Sequence, residues 1–574
     1  MDENLKKIIN YLNNNDLDKA YQLCCQNSNI KIEYIINNIK GVILLKKKKL
    51  ENAKSKFLKS IELNKNFVDP YKNLLKLNLM KKDFKSAIEN GNKVIELDVK
   101  KNPLSYFNLA LAYDLNKDYK KAIETYKIVE TLNFKEKKIL FNNMAKCSLG
   151  AQQIKNAEYY YLKALEIDQN DKLIINNLLI LYLRIEDKTK IEQFFKRAEQ
   201  IDKNYIEFKL NKSDYFLYKD KIEESIKLLK TIVQESKNYI AYTKLAKIYS
   251  IIGDNKKAAE TIEDAINIYP TLKDLKFTRG ILHLIEGEFE KGWEFYELRD
   301  SIVRDKSFDN IKIWNGENLK DSNILVTSEQ GMGDVLQFSK FLKNLSPLSK
   351  KIDFVIYDKL LPIFKKKIGN INIYKKSEIL MNQYDYKISI GSLNRHFYKQ
   401  ENFKQSDFIN FSEDKKKQWR SVLDNKKKNI GLVWSGNFFG PKEPSRSIPL
   451  KNFENLFKLN FNFYYFQNEI WDRDREFLKK TKITDYSKEK FADIIAIIQN
   501  LDLMISTDTF FLHLACICNK KTWGLISANS DWRWFEYYKY NPYESLKILR
   551  QTNYKNWDNV IDLLQKNLKD EFLI

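Results

Sequence analysis

Histidine is nearly missing from this 574-residue chain, which holds only His283, His396 and His513. A histidine-based metal centre is therefore not expected, and no metal is assigned. Cysteine is almost as scarce. Cys24, Cys25, Cys147, Cys516 and Cys518 are too few and too scattered for a disulfide framework or a zinc site, which points to a reducing compartment. Cys516 and Cys518 lie in an apolar helical pattern, where core packing is the simpler role. No apolar run approaches the length of a bilayer span. The start, MDENLKKIINYL, is acidic and then amphipathic, unlike a signal peptide. These features predict a soluble, cytoplasmic protein without a transmembrane segment. Glycine is also rare, at 16 residues, so two glycines placed beside an acid in SEQGMGDVLQF (Ser328 to Phe338) need a reason.

What the chain does have is hydrophobic residues at 43% and aromatics at 13%, enough for sizeable cores and against wholesale disorder. Its length predicts two to four domains. The formal charge of +23 admits an anionic partner. Lysine, asparagine and isoleucine are inflated throughout, however, and the runs Lys46 to Lys49 and Lys426 to Lys428 read as solvated turns. There is no arginine-rich stripe, so nucleic acid is not an expected partner.

The first half repeats. DFKSAIENGNKVIELD (Asp83 to Asp98) realigns with DYKKAIETYKIVETLN (Asp118 to Asn133). One position recurs at intervals of 33 to 35 residues: Ala20, Ala53, Ala87, Ala122, Ala157, Ile191, Ser225, Ala258 and Gly292. A small residue there lets two helices of one unit pack closely, and such a unit buries its apolar face only by stacking on its neighbours. The pattern resembles the tetratricopeptide repeat, with an α-solenoid expected over 1–300. The resemblance implies a protein or peptide partner bound by the repeats; a spacer or dimerisation arm is the plainer alternative.

After IWNGENL the period changes. Short apolar runs (NILVTS, KIDFVIYD, YDYKISIG, NIGLVWSG, FNFYYFQNE, LDLMISTD, KKTWGLIS, SLKILRQ) alternate with helical patterns. This predicts α/β architecture with parallel sheets, in two halves, 318–425 and 426–574, divided in the lysine-rich stretch near Glu413 to Lys428. Ligands of such sheets sit beyond the carboxyl ends of strands. Three loops there carry candidate residues. In the first, Gly331 and Gly333 precede Asp334, which begins a helix whose Val335, Leu336, Phe338, Phe341, Leu342 and Leu345 face inward. Asp334 is a helix cap or an ionised general base; the residues alone allow both. In the second, Ser435, Gly436, Asn437 and Arg446 suit a diphosphate, or form a surface loop. In the third, STDTFFLHLA, Thr509 can cap a helix and His513 lies one turn later, as an anion-binding or a structural histidine.

These loops, with EKGWEFYELR at the junction, RSIPL, FADIIAIIQNL and SDWRWFEYY, occur in the order found in glycosyltransferase family 9, the ADP-heptose:lipopolysaccharide heptosyltransferases. The chain most resembles bacterial proteins that join tetratricopeptide repeats to such a domain. The resemblance implies a GT-B fold of two Rossmann-like halves, a nucleotide-sugar co-substrate held by the C-terminal half, and no separate cofactor or metal. By motif, Asp334 would deprotonate the acceptor, while Gly331, Gly333, Ser435, Gly436, Asn437, Arg446, Asp508, Thr509 and His513 would surround the donor. Gln467 would face the nucleobase or pack at a strand end. Arg446, His513 and helix N-termini would neutralise the departing diphosphate. Trp532 and Trp534 would wall the nucleotide or pack. The N-terminal half is short, so the last repeats would complete the acceptor side. The segment after His513, usually small and glycine-containing in the family, is CICNKK here. Protein O-GlcNAc transferases share this joining of repeats to GT-B, so the expected acceptor is a protein or a glycan. The competing expectation is a non-catalytic repeat scaffold with a nucleotide-binding or degenerate GT-B domain.

Overall fold

A computed structural model describes residues 3–573 except 28, 99–100, 300–307, 309, 381–382, 400–404, 425, 438–444 and 535–542. The chain divides into two compact units, Met1–Leu183 with Asp187–Phe208, and Arg184–Glu186 with Lys209–Ile574. The division falls within the repeats rather than at their end.

Among the described residues, eighteen α-helices run in pairs from Glu3–Asn13 to Phe289–Tyr296. Each recurring small position is buried in the second helix of its pair, and Ala20, Ala53, Ala87, Ala122, Ala157, Ile191, Ser225 and Ala258 are all fully covered. A larger side chain there would force the helices apart, at a cost of about 1–3 kcal/mol. Ser225 meets the same constraint by donating its hydroxyl to the Ser213 carbonyl of the facing helix (2.8 Å). Before each second helix the chain turns through one residue of positive φ: Asn15, Lys48, Lys82, Lys117, Gln152, Glu186, Asp220, Gly253 and Gly287. Asp16, Asp83, Asp118, Asp187 and Asp254 then cap the helix by accepting a backbone N–H from its first turn.

The second unit continues into two six-stranded sheets. The first contains β1 (Lys312–Ile313), β2 (Asn323–Thr327), β3 (Lys351–Ile356), β4 (Lys367–Ile368), β5 (Ile371–Lys375) and β6 (Tyr386–Ser389), in the order β1-β6-β2-β3-β5-β4. It is parallel except where β4 meets β5. The second contains β7 (Lys428–Val433), β8 (Phe461–Tyr465), β9 (Thr484–Asp485), β10 (Leu503–Thr507), β11 (Thr522–Ile526) and β12 (Leu546–Arg550), in the order β12-β11-β10-β7-β8-β9. Counted from β7, that is the 3-2-1-4-5-6 order of doubly wound nucleotide-binding sheets. Strands β7, β10 and β11 read as nearly unbroken apolar runs because both of their faces are covered.

Strand order reverses between β2 and β6 in the first sheet and between β7 and β10 in the second. A crevice opens at such a point because the two connections leave in opposite directions. The helix Glu413–Val422 packs with the second sheet: Lys415 and the Trp419 indole both donate to Asp493 Oδ1 in the helix Phe491–Asn500 (2.6 and 3.0 Å).

Candidate functional site

The loop after β2 carries the first candidates. Its helix, Met332–Phe338, starts at Gly331, so Asp334 is the third helical residue and not the cap. The Asp334 carboxylate instead reaches back, and Oδ2 accepts the Gly331 N–H (2.8 Å). The helix then tightens into a 3-10 turn at Ser339–Phe341 and resumes at Leu342–Leu345. Val335, Leu336, Phe338, Phe341, Leu342 and Leu345 are all buried, as the pattern predicts. Gly333 lets two helices come into contact. A Cβ there would lie 2.8 Å from His513 Cδ2 and 3.7 Å from the Phe510 Cα. The absent side chain thus lets the helix after β2 close on the helix Phe510–Ile517 after β10.

The loops after β7 and β10 carry the rest. Arg446 Nη1 donates to the Asp508 carbonyl (3.0 Å), which brings the two loops together. Thr509 occupies the N-cap position of Phe510–Ile517, but its hydroxyl meets Ser506 Oγ (3.0 Å) rather than a helix N–H. Ser435 is buried, the Gly436 N–H donates to Ser447 Oγ (3.3 Å), and Asn437 is exposed. The remainder of that loop, 438–444, lies outside the described residues. Gln467 pins the loop. Its Oε1 accepts from Trp434 N (2.9 Å) and Ser435 N (3.2 Å), while Nε2 donates to Ser435 Oγ (2.6 Å) and the Glu469 carbonyl (3.2 Å). With both ends of its amide engaged, Gln467 positions the strand end and has no group left for a nucleobase.

His513 differs from expectation in charge. It is buried, its Nδ1 lies 2.9 Å from the Tyr543 hydroxyl, and its ring stacks on Trp534 at 5.6 Å. Burial pushes the imidazole down to about 4, so without a ligand it is an uncharged hydrogen-bonding group at neutral pH.

Two arginines that the motif reading passed over organise the site. Arg533, between Trp532 and Trp534, donates from Nη2 to Asp334 Oδ1 (2.5 Å) and from Nη1 to Asp531 Oδ1 (2.6 Å). Burial alone would lower this guanidinium, but Asp531 and Asp334 hold it charged. Burial also raises the Asp334 carboxyl above the usual carboxylate range, against the pull of Arg533 and of the Gly331 N–H. Arg299 lies just past the last repeat helix, fully buried. It donates from Nε and Nη2 to the two oxygens of Glu329 (2.9 and 2.5 Å) and from Nη2 to Ser392 Oγ (2.6 Å). Glu329 Oε1 also accepts the Gly391 N–H (3.0 Å), so this one pair fixes the loops after β2 and β6 to the end of the repeats. Trp293 meets Trp532 edge-on at 4.9 Å beside it. A signal for both arginines was present: only 12 of the 99 cationic residues are arginine, so one placed among aromatics stands out against the lysine background.

Among the described residues, the side chains with metal-like spacing lie elsewhere, at His283, Glu286 and Glu288 in the last repeat. There Arg279 Nη1 already donates to Glu286 (3.0 Å), so a guanidinium supplies the positive charge. No helix among the described residues is long and apolar enough to cross a membrane.

Protein FlbA of Caulobacter vibrioides is 21% identical over 362 residues, covering 56% of this chain and 59% of that protein, so the chain spans less than two thirds of this relative. Among solved structures, a tetratricopeptide repeat protein from Parabacteroides merdae is similar at 19% identity over 40% of this chain and 93% of that one, with a TM-score of 0.35. PilF of Pseudomonas aeruginosa is similar at 15% identity over 38% of this chain and 97% of that one, with a TM-score of 0.31. The family described as "Tetratricopeptide repeat" matches residues 35–67, 104–135 and 239–272. The paired helices over these three segments therefore match tetratricopeptide repeats.

Proposed function

We propose that the chain transfers a sugar from a nucleotide-sugar donor to a hydroxyl of an acceptor, either a protein held by the repeats or a glycan. In this reading the two sheets are the halves of a GT-B fold. The donor lies on the loops after β7 and β10, and Asp334 is the base of the opposing loop. The acceptor O–H gives its proton to Asp334, its oxygen bonds to the anomeric carbon, and the bond from that carbon to the diphosphate breaks. The electron pair leaves with the nucleoside diphosphate. Arg446 and the N–H groups at the start of Phe510–Ile517 offset that charge, and His513 adds a hydrogen-bonding group.

One observation carries the reading: the strand-switch loops of both sheets meet at Gly333 and His513, with Asp334 one residue away and lifted in basicity by burial. A carboxylate made more basic by its surroundings suits a general base. The test is to incubate the full chain with a panel of nucleotide sugars and measure nucleoside diphosphate release with acceptor present. Turnover of one donor supports transfer. Binding without turnover assigns the α/β part to a nucleotide-responsive scaffold.

A further inference from the structure

Asp334 has both carboxylate oxygens engaged, Oδ1 by Arg533 (2.5 Å) and Oδ2 by the Gly331 N–H (2.8 Å). The second bond closes a helix turn and is part of the fold. The first joins residues 199 positions apart, through a guanidinium that has other work open to it. Arg533 lies over the Trp532 ring (4.5 Å) and the Phe338 ring (5.1 Å), which fix its plane and leave its edge as the reactive side. Its Nε–H is buried and bonds to nothing. Trp534 Nε1 and Thr507 Oγ1 are buried without a partner as well, Trp534 on the ring of His513 and Thr507 at the carboxyl end of β10. Buried donors without acceptors are rare in folded proteins, and the adjacent pair at Arg533 and Trp534 calls for an acceptor-rich group. A diphosphate is such a group, and a guanidinium fork matches two phosphate oxygens better than a lone carboxylate oxygen.

We infer that Arg533, anchored through Nη1 on Asp531, is a clasp whose Nη2 and Nε side is contested by two anions, the Asp334 carboxylate and the diphosphate of a bound nucleotide. While Arg533 stays on Asp334, the base cannot receive the acceptor proton. A diphosphate on the loops after β7 and β10 draws the guanidinium across, and Asp334 Oδ1 becomes available. The base is thereby unmasked only beside a loaded donor. This rests on the proposed transfer reading and adds to it the residue that couples donor to base.

Competition makes a counter-intuitive prediction. Uridine, guanosine, adenosine and cytidine diphosphates are titrated calorimetrically into the full-length wild type, Asp334→Asn, Arg533→Gln and the double variant. Releasing Arg533 from its carboxylate should tighten the preferred diphosphate about tenfold in Asp334→Asn, and the same change should give less than about twofold when Arg533 is glutamine. Equal affinity in Asp334→Asn and wild type overturns the inference. So does a tenfold gain that persists in the Arg533→Gln background, because the carboxylate then repels the nucleotide without the clasp. Should Arg533→Gln not fold, Arg533→Met keeps the stem on Trp532 and removes the fork. A wild type that binds no nucleoside diphosphate removes the transfer reading and this inference together, whereas binding without coupling removes the inference alone.

Discussion

Arg299 and Glu329 form a buried fork-to-fork ion pair, with Nε to Oε2 at 2.9 Å and Nη2 to Oε1 at 2.5 Å. One residue ends the repeats and the other opens the glycine loop, so helical array and sheet share a desolvated charge pair. Arg299 Nη1 also donates to Glu297 Oε1 (2.7 Å), so losing Glu329 leaves the guanidinium one carboxylate, whereas losing Arg299 leaves Glu329 buried without its cation. Arg299→Met should therefore cost about 3–5 kcal/mol, read by denaturant unfolding, and Glu329→Ala should cost less, because Glu297 still holds the guanidinium.

Gly333 and His513 predict a second coupled pair. A Cβ at 333 meets the imidazole at 2.8 Å and cannot retreat toward the Phe510 backbone. Gly333→Ala should destabilise by about 1–3 kcal/mol, and His513→Ala should relieve most of this in the double variant. An additive double variant would show that the helices separate there without strain.

The buried imidazole predicts a pH effect of definite sign. Burial lowers the His513 imidazole from the usual 6.5 to about 4 in the folded chain. Between those values the unfolded chain binds a proton that the folded chain does not, so stability falls as pH drops from about 6.5 toward 4, by roughly 3 kcal/mol at most. His283 and His396 are also lowered by burial and act in the same direction. The difference between wild type and His513→Gln isolates the one residue. Parallel stability–pH curves for the two proteins would contradict the assignment.

The repeat turns predict a gain. Lys82 holds a left-handed conformation, φ 58°, that glycine adopts without steric cost. Lys82→Gly should raise stability by about 0.5–1 kcal/mol, seen as a higher denaturation midpoint.

Much of the fold was legible because it rests on periodicity. Nine positions from Ala20 to Gly292 keep their interval since each must let two helices touch, and all eight apolar runs named in the sequence contain a strand. The strands not anticipated, β1, β4, β5 and β9, are mostly two-residue edge segments, too short to show alternation. At the site, sequence order pointed to the three loops but not to what joins them. Arg533 reaches Asp334 across 199 residues, and nothing local to SDWRW says which acid its fork will meet. That Gly333 lets another element approach was legible, but not that His513 is the group beside it. The charge of His513 was also hidden, because it depends on burial by Trp534 and Tyr543, which lie 21 and 30 positions later.

The most direct test of the central claim compares wild type with Asp334→Asn in the nucleotide-sugar panel, following nucleoside diphosphate release and binding together. The account predicts that wild type consumes one donor, while Asp334→Asn loses at least about a hundredfold in transfer and still binds the nucleotide. Wild type that neither binds nor consumes any nucleotide sugar, or Asp334→Asn that turns over as wild type does, would contradict it.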